Sequence, residues 1–206
     1  SNVMKTPNLD QLSKDGIKFT QGYVTDATCG PSRAGLITGK YQQRFGYQEI
    51  NVPGYMSENS KYLGDDMGLP LDQKTIADYL KKLGYKSAVY GKWHLGNADR
   101  FHPLKRGFDE FYGFNCQRIG HNYYPYHLWN NQTKEMLDGN IGKNTEMYAP
   151  DLIHQKALSF IEKNKDTAFF MYYPSIIPHA ELFAPESYMQ KFRGKFNSEK
   201  PYKGID

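Results

Sequence analysis

Three short stretches of this sequence carry side chains that can do chemistry together: Thr28-Cys29-Gly30-Pro31-Ser32-Arg33, Gly91-Lys92-Trp93-His94 and Pro178-His179-Ala180. They supply a nucleophile, cations and imidazoles. Cys29 stands just before a helix expected to begin at Pro31, so free amide groups and the positive end of the helix dipole favour a thiolate or another oxyanion there. Arg33, one turn into that helix, can reach back to the same point. A desolvated Lys92 can offset negative charge that develops in a transition state. His94 and His179 are imidazoles, the side-chain type suited to carrying protons.

The elements that must position these residues alternate along the chain. Thr6-Pro7 reads as a helix start, with Leu9 and Leu12 on an apolar face before Gly16. Ile17 to Val24 reads as a strand, Pro31 to Ile37 as a short helix closed by Gly39, and Tyr41 to Leu71 as a long loop. Lys74 to Leu83 is a predicted helix whose apolar phase is Ile76, Tyr79, Leu80 and Leu83. Ser87 to Tyr90 reads as a buried strand, Phe101 to Gly142 as irregular, Asp151 to Lys163 as an amphipathic helix and Ala168 to Tyr173 as a strand. A short helix is expected from Glu186 to Phe192. Helix followed by strand, repeated, predicts an α/β fold with a mainly parallel sheet flanked by helices. Ligand sites in such sheets lie beyond the carboxyl ends of the strands, where all three stretches fall. That convergence predicts an enzyme.

Composition narrows the classes. In 206 residues, 39% are apolar and 23% charged, which excludes a disordered chain, and no apolar run is long enough to span a bilayer. The 26 Lys and Arg against 22 Asp and Glu leave a net charge of +4, spread along the chain, so no nucleic-acid partner is expected. An aromatic content of 15%, with 17 Tyr, suits carbohydrate-like or other polar ligands. Two cysteines, Cys29 and Cys116, make neither a disulfide scaffold nor a Cys-rich zinc site. No signal peptide is read: Ser1-Asn2-Val3-Met4 leads straight into the first helix start.

The text from Ala27 to Gly39, Ala-Thr-Cys-Gly-Pro-Ser-Arg-Ala-Gly-Leu-Ile-Thr-Gly, resembles the type I sulfatase signature along its whole length. Gly84 to Gly96 resembles the second signature of that family, with Tyr90 where a small or aliphatic residue is usual, a change expected to alter packing and not catalysis. Tyr172 to Glu181 resembles the family's strand and Pro-His turn, and Gly107 to Phe114 its structural segment before the substrate pocket. The resemblance implies a sulfatase of the alkaline phosphatase superfamily, acting on sulfate esters, most of all of sulfated sugars. It implies that a maturation enzyme oxidises Cys29 to formylglycine, with Pro31 and Arg33 part of the text that enzyme reads. In the chemistry this implies, one hydroxyl of the aldehyde hydrate attacks sulfur and expels the alcohol, and the second then loses its proton, releasing sulfate and restoring the aldehyde.

By the same resemblance Arg33 holds residue 29 in place, Lys92 contacts sulfate, His94 assists elimination, and His179 binds sulfate and protonates the leaving alcohol. His121 is the candidate for a further sulfate- or sugar-lining histidine, ahead of His127. His102 and His154 read as structural, and Cys116 as a free or structural thiol. The family's calcium is implied, with residue 29 as one ligand and the others outside this chain. Asp65-Asp66-Met67-Gly68 looks like the family's Asp pair but lies in a polar loop downstream of Cys29, so it is rejected as the metal site. Asn131-Gln132-Thr133 is a glycosylation sequon.

A sulfatase catalytic domain is much longer than this chain. Residues 1–206 are therefore expected to be part of an N-terminal catalytic domain, lacking the first strand and the C-terminal part. Such a piece is expected to be inactive alone, to bind calcium poorly and to expose an apolar face through which it self-associates. The implied compartment is periplasmic or secreted, or lysosomal in a eukaryote. Two alternatives stand beside this reading. One is a phosphonate monoester or phosphodiester hydrolase of the same superfamily, and the other is a non-catalytic glycan-binding module.

Overall fold

A computed structural model describes the protein at residues 4–48, 67–116, 119–142, 144–179 and 182–196. Its centre is strand β1, Lys86–Lys92, buried at every residue after the first. A strand buried on both faces reads as a nearly continuous apolar run, and Ser-Ala-Val-Tyr-Gly fits that rule. Strands β2 (Glu110–Phe114) and β5 (Phe169–Tyr172) flank it, both parallel to it. Two further strands, β3 (His127–Asn130) and β4 (Thr133–Met136), extend the sheet beyond β2 in antiparallel pairs. The order is β4-β3-β2-β1-β5. The fold is α/β, and its sheet is parallel at the centre and antiparallel at one side.

Helices cover both faces. Ala88 and Tyr90 of β1 pack with Ile153, Ala157 and Phe160 of the helix Ala149–Asn164. Val89 points the other way, into a cluster with Ala34, Ile37, Trp93 and Phe111. Ala34 and Ile37 belong to the helix Cys29–Thr38. In chain order the helices are α1 (Pro7–Asp15), α2 (Cys29–Thr38), α3 (Ile76–Lys81), α4 (Ala149–Asn164) and α5 (Glu186–Met189). Thr75 caps α3 in a reciprocal box with Asp78. Gly39 ends α2 with φ +67°, a left-handed turn that Gly adopts without a Cβ penalty. Among the described residues no helix is long and apolar enough to cross a membrane.

Three expectations need correction. Ile17 to Val24 forms no strand: Ile17, Phe19 and Tyr23 are more than 80% exposed and pair with no neighbour. With Leu9 and Leu12 of α1, which buries nothing, they make an uncovered apolar surface. The phase of α3 is also different. Ile76, Tyr79 and Leu83 face solvent, and the small Ala77 is the buried residue, because the helix lies close to the backbone at Gly107. Phe101 to Gly142 is not irregular throughout, since it holds β2, β3 and β4. Asn131, at φ +54°, turns β3 into β4, and its side chain accepts from the Phe111 amide at 2.9 Å. The sequon asparagine is thus a hairpin residue tied to β2.

Candidate active site

Cys29 is the first residue of α2, which begins two residues earlier than expected. Its Sγ lies 3.3 Å from His94 Nδ1. The residue just before it, Thr28, is held by Asp26, whose carboxylate accepts from the Thr28 amide at 2.7 Å and from the Thr28 hydroxyl. These bonds hold the Asp26 carboxyl below its usual range. The thiol is half-buried at a helix N-terminus, where amide groups and the dipole favour negative charge.

Arg33 sits one turn further along α2 and joins two strand ends. Its guanidinium donates to the Lys92 carbonyl at the end of β1 and bonds the Tyr172 hydroxyl at the end of β5. Beyond β1 the backbone stays clamped. The Lys92 amide donates to Pro174 O, the Trp93 amide to Phe114 O and the His94 amide to Asn115 O. Trp93 is fully buried, and its indole donates to Phe101 O at 2.9 Å. His94 holds a left-handed φ of +59°, uncommon outside Gly and of the kind that collects at functional sites. That turn carries the imidazole to Cys29 while Trp93 goes into the core.

Lys92 is 2% exposed. Burial pulls its ammonium down to about 8, because desolvation disfavours the charged form. Its Nζ lies 3.1 Å from His121 Nε2. The His121 ring stacks on His179 at 3.8 Å between centroids, 19° from parallel. Burial, the Lys92 charge and the His179 ring together push His121 down to about 4, so near neutral pH it is an uncharged acceptor for Lys92. His179 is held from behind, because Tyr123 donates to its carbonyl at 3.0 Å.

All six candidate residues therefore gather at one end of the sheet. Cys29, Arg33, Lys92 and His94 meet at the end of β1, and His121 and His179 extend the group from Lys92. The other histidines do not join. His127 lies in β3 against Trp129, His154 lies on α4 against Tyr173, and His102 bonds the backbone at Asn131 and Leu104. Tyr90 faces α4, stacks near Phe160 and donates to Glu110. Cys116 is a free thiol close enough to Lys92 to bear on its charge. Asp65 and Asp66 lie outside the described residues.

Three residues at the site went unremarked in the sequence. Tyr123 anchors His179, and its position two after His121 was the available signal. Tyr172 receives Arg33 at the end of β5. Tyr47 is 4% exposed with its hydroxyl unpartnered, and burial beside Cys29 pushes its phenol up. No spacing rule points to it.

Formylglycine and calcium are the groups the resemblance implies. Residue 29 suits the first: a side-chain oxygen there would stand beside the His94 nitrogen and the helix amides. The described residues do not suit the second. None of them forms a group of three or more His, Cys, Asp or Glu able to hold a metal. Asp26 is already engaged by Thr28 and Gln42, while calcium wants about six or more oxygen ligands.

Known proteins resemble this chain in sequence and fold. The sulfatase family model matches residues 1–202. N-acetylgalactosamine-6-sulfatase of Mus musculus is 32% identical over 205 residues, 93% of this chain and 39% of that protein. Steryl-sulfatase of Homo sapiens is 37% identical over 125 residues, 58% of this chain and 21% of that protein. The crystal structure of Ps i-CgsB in complex with k-i-k-neocarrahexaose aligns with a TM-score of 0.76 at 33% identity, covering 93% of this chain and 44% of that one. The structure of BT4656 with its substrate D-glucosamine-2-N,6-O-disulfate aligns at 0.71 and 27% identity, over 97% of this chain and 35% of that one. The chain spans less than half the length of each of these proteins.

Proposed function

This chain belongs to the sulfatase family, and from that premise we propose that its parent protein is a sulfuric ester hydrolase acting on sulfated glycans. Residues 1–206 would form part of its N-terminal catalytic domain. The observation that carries the reading is the pairing of Cys29 with His94 at 3.3 Å, beside the Lys92–His121–His179 group. The named substrates of similar proteins, among them D-glucosamine-2-N,6-O-disulfate, support a sulfated sugar as substrate class.

Cys29, matured to formylglycine by a formylglycine-generating enzyme, would supply a hydrated aldehyde: one hydroxyl would attack sulfur as the alcohol leaves, and loss of the proton from the other would expel sulfate and restore the aldehyde. The chain's own residues do the rest. Lys92, buried and still charged below pH 8, holds sulfate oxygens and offsets charge in the transition state. His94, beside the residue 29 side chain, holds and moves the proton of a hydroxyl there. His179 gives a proton to the leaving alcohol oxygen, and Tyr123 fixes its backbone for that task. His121 accepts from Lys92 and keeps the ammonium aimed. Arg33 locks the ends of β1 and β5 to α2, so that nucleophile and cation keep their spacing.

Calcium belongs to the proposal for the whole protein, with ligands from outside the described residues. So does a periplasmic, secreted or lysosomal compartment. The test is sulfate release by the full-length, matured protein from an aryl sulfate, N-acetylgalactosamine 6-sulfate and carrageenan oligosaccharides, with Cys29→Ala as control. The expected result is release that Cys29→Ala abolishes. Hydrolysis of a phosphonate monoester such as p-nitrophenyl phenylphosphonate without sulfate release would favour the phosphonate alternative. Glycan binding without any hydrolysis would favour the non-catalytic one.

A further inference from the structure

Residues that follow His121 and His179 in the chain line a cavity of about 940 Å³. That size falls in the range of ligand pockets. One wall, Asn122, Tyr124 and Tyr126, begins one residue after His121. The opposite wall, residues 183–186, begins four residues after His179. The base is Tyr148 with the first turns of α4. α4 leads back into β5, which runs parallel to β1, so its first turn lies at the same end of the sheet as Lys92.

The walls are braced in place. The Asn140 side chain donates to Pro125 O and Met147 O and accepts from the Met147 amide, all within 2.9 Å. Tyr148 donates to Phe183 O across the cavity. Tyr123 stacks on Tyr148 at 5.8 Å, nearly parallel, while its hydroxyl holds the His179 carbonyl. One tyrosine thus ties the candidate catalytic histidine to the cavity wall.

Among the described residues the charge here is opposite to that of the neighbouring site. Glu146, Asp151 and Glu186 line the cavity, and among the described residues no Lys, Arg or His does. Arg193 pairs with Glu186, whereas Asp151 is met by the neutral Tyr188 hydroxyl at 3.0 Å. Tyrosine rings, amides and carboxylates are the side chains that hold a sugar by its faces and hydroxyls. They offer nothing to balance an anion.

We propose that this cavity is the subsite for the sugar unit next to the sulfated one, and that it selects a unit carrying no sulfate or carboxylate. This rests on the sulfatase reading and adds to it a restriction on the glycan: sulfate at the cleaved position, none on the neighbour. A second anion there would face the like charges of Glu146 and Asp151, the kind of contact by which interfaces reject wrong partners.

The test compares kcat/KM of the full-length, matured protein on two disaccharides. Both carry the sulfated unit hydrolysed in the panel above, and the neighbour is galactose in one and galactose 6-sulfate in the other. The expected preference for the unsulfated neighbour is about tenfold or more, and the Glu146→Gln/Asp151→Asn double variant is expected to cut it to about threefold or less. Equal rates in the wild type, faster release beside the sulfated neighbour, or an unchanged ratio in the double variant would overturn the subsite. An aryl sulfate measured alongside separates the two levels. Its hydrolysis without discrimination between the disaccharides removes the subsite alone, and failure on all three substrates removes the sulfatase reading with it.

Discussion

Cys29 and His94 stand 65 residues apart in the chain and 3.3 Å apart in space, sulfur to Nδ1. The contact depends on a left-handed φ at His94, with Trp93 buried behind it. Asn tolerates that backbone better than most residues, so His94→Asn is the variant that removes the imidazole and spares the turn. Sulfate release is expected to fall about a hundredfold or more, the scale of a lost proton-transfer group. The melting temperature should change little. A variant with near-normal turnover would remove His94 from the mechanism.

Lys92 is placed for function at the expense of stability. Its folded pKa is about 8, against 10.5 for the ordinary side chain. Between those values the unfolded chain holds the proton and the fold does not, so wild-type stability rises with pH across this window. Lys92→Met keeps the stem and removes the charge. It is expected to be more stable than the wild type at pH 7 by about 1–3 kcal/mol, with the gap closing by pH 10.5, and to release no sulfate. Denaturant melts at pH 7 and pH 10 check both the sign and the trend.

His121 works in the acid range. Its ordinary pKa of 6.5 falls to about 4 in the fold. Below pH 6.5 the unfolded chain takes up a proton that the folded ring refuses, so stability is lost as pH falls from 6.5 to 4. His121→Asn should flatten that part of the stability profile, and added sulfate, which favours the charged ring, should do the same for the wild type. A profile unchanged by the substitution would show that the ring is not held neutral beside Lys92.

Gly91 and Gly113 are paired residues of β1 and β2. A Cβ on Gly113 would lie 2.0 Å from the Gly91 carbonyl, and its φ of +149° is itself unfavourable for a side chain. The clash is with backbone, so no rotamer relieves it. Gly113→Ala should destabilise by more than about 3 kcal/mol and misplace Lys92, one residue beyond Gly91. A thermal melt close to that of the wild type would contradict the register.

Much of this was legible before the structure. β1 announced itself by a short apolar run, and α4 by Ile153, Ala157 and Phe160 at helical spacing, all three of which are buried. The motif residues were legible because each carries its neighbours with it: Cys29 with Pro31 and Arg33, Lys92 with Trp93 and His94. Ile17 to Val24 misled, because apolar and aromatic residues report a preference for burial and cannot supply the neighbour a strand must pair with. β2 and the β3–β4 hairpin were hidden by their shortness and by Gly113. Asn131 opens a sequon in the sequence, but its αL turn is the structural signal it carries. The stack of His121 on His179 was out of reach, since no local pattern relates residues 58 positions apart.

The most direct test of the central claim is peptide mass spectrometry across Cys29, on the full-length protein produced with a formylglycine-generating enzyme and read beside sulfate release. The account predicts a Cys29 peptide lighter by about 18 Da, an aldehyde in place of the thiol, and activity proportional to the converted fraction. An unmodified thiol, under conditions that convert a control sulfatase, would contradict it.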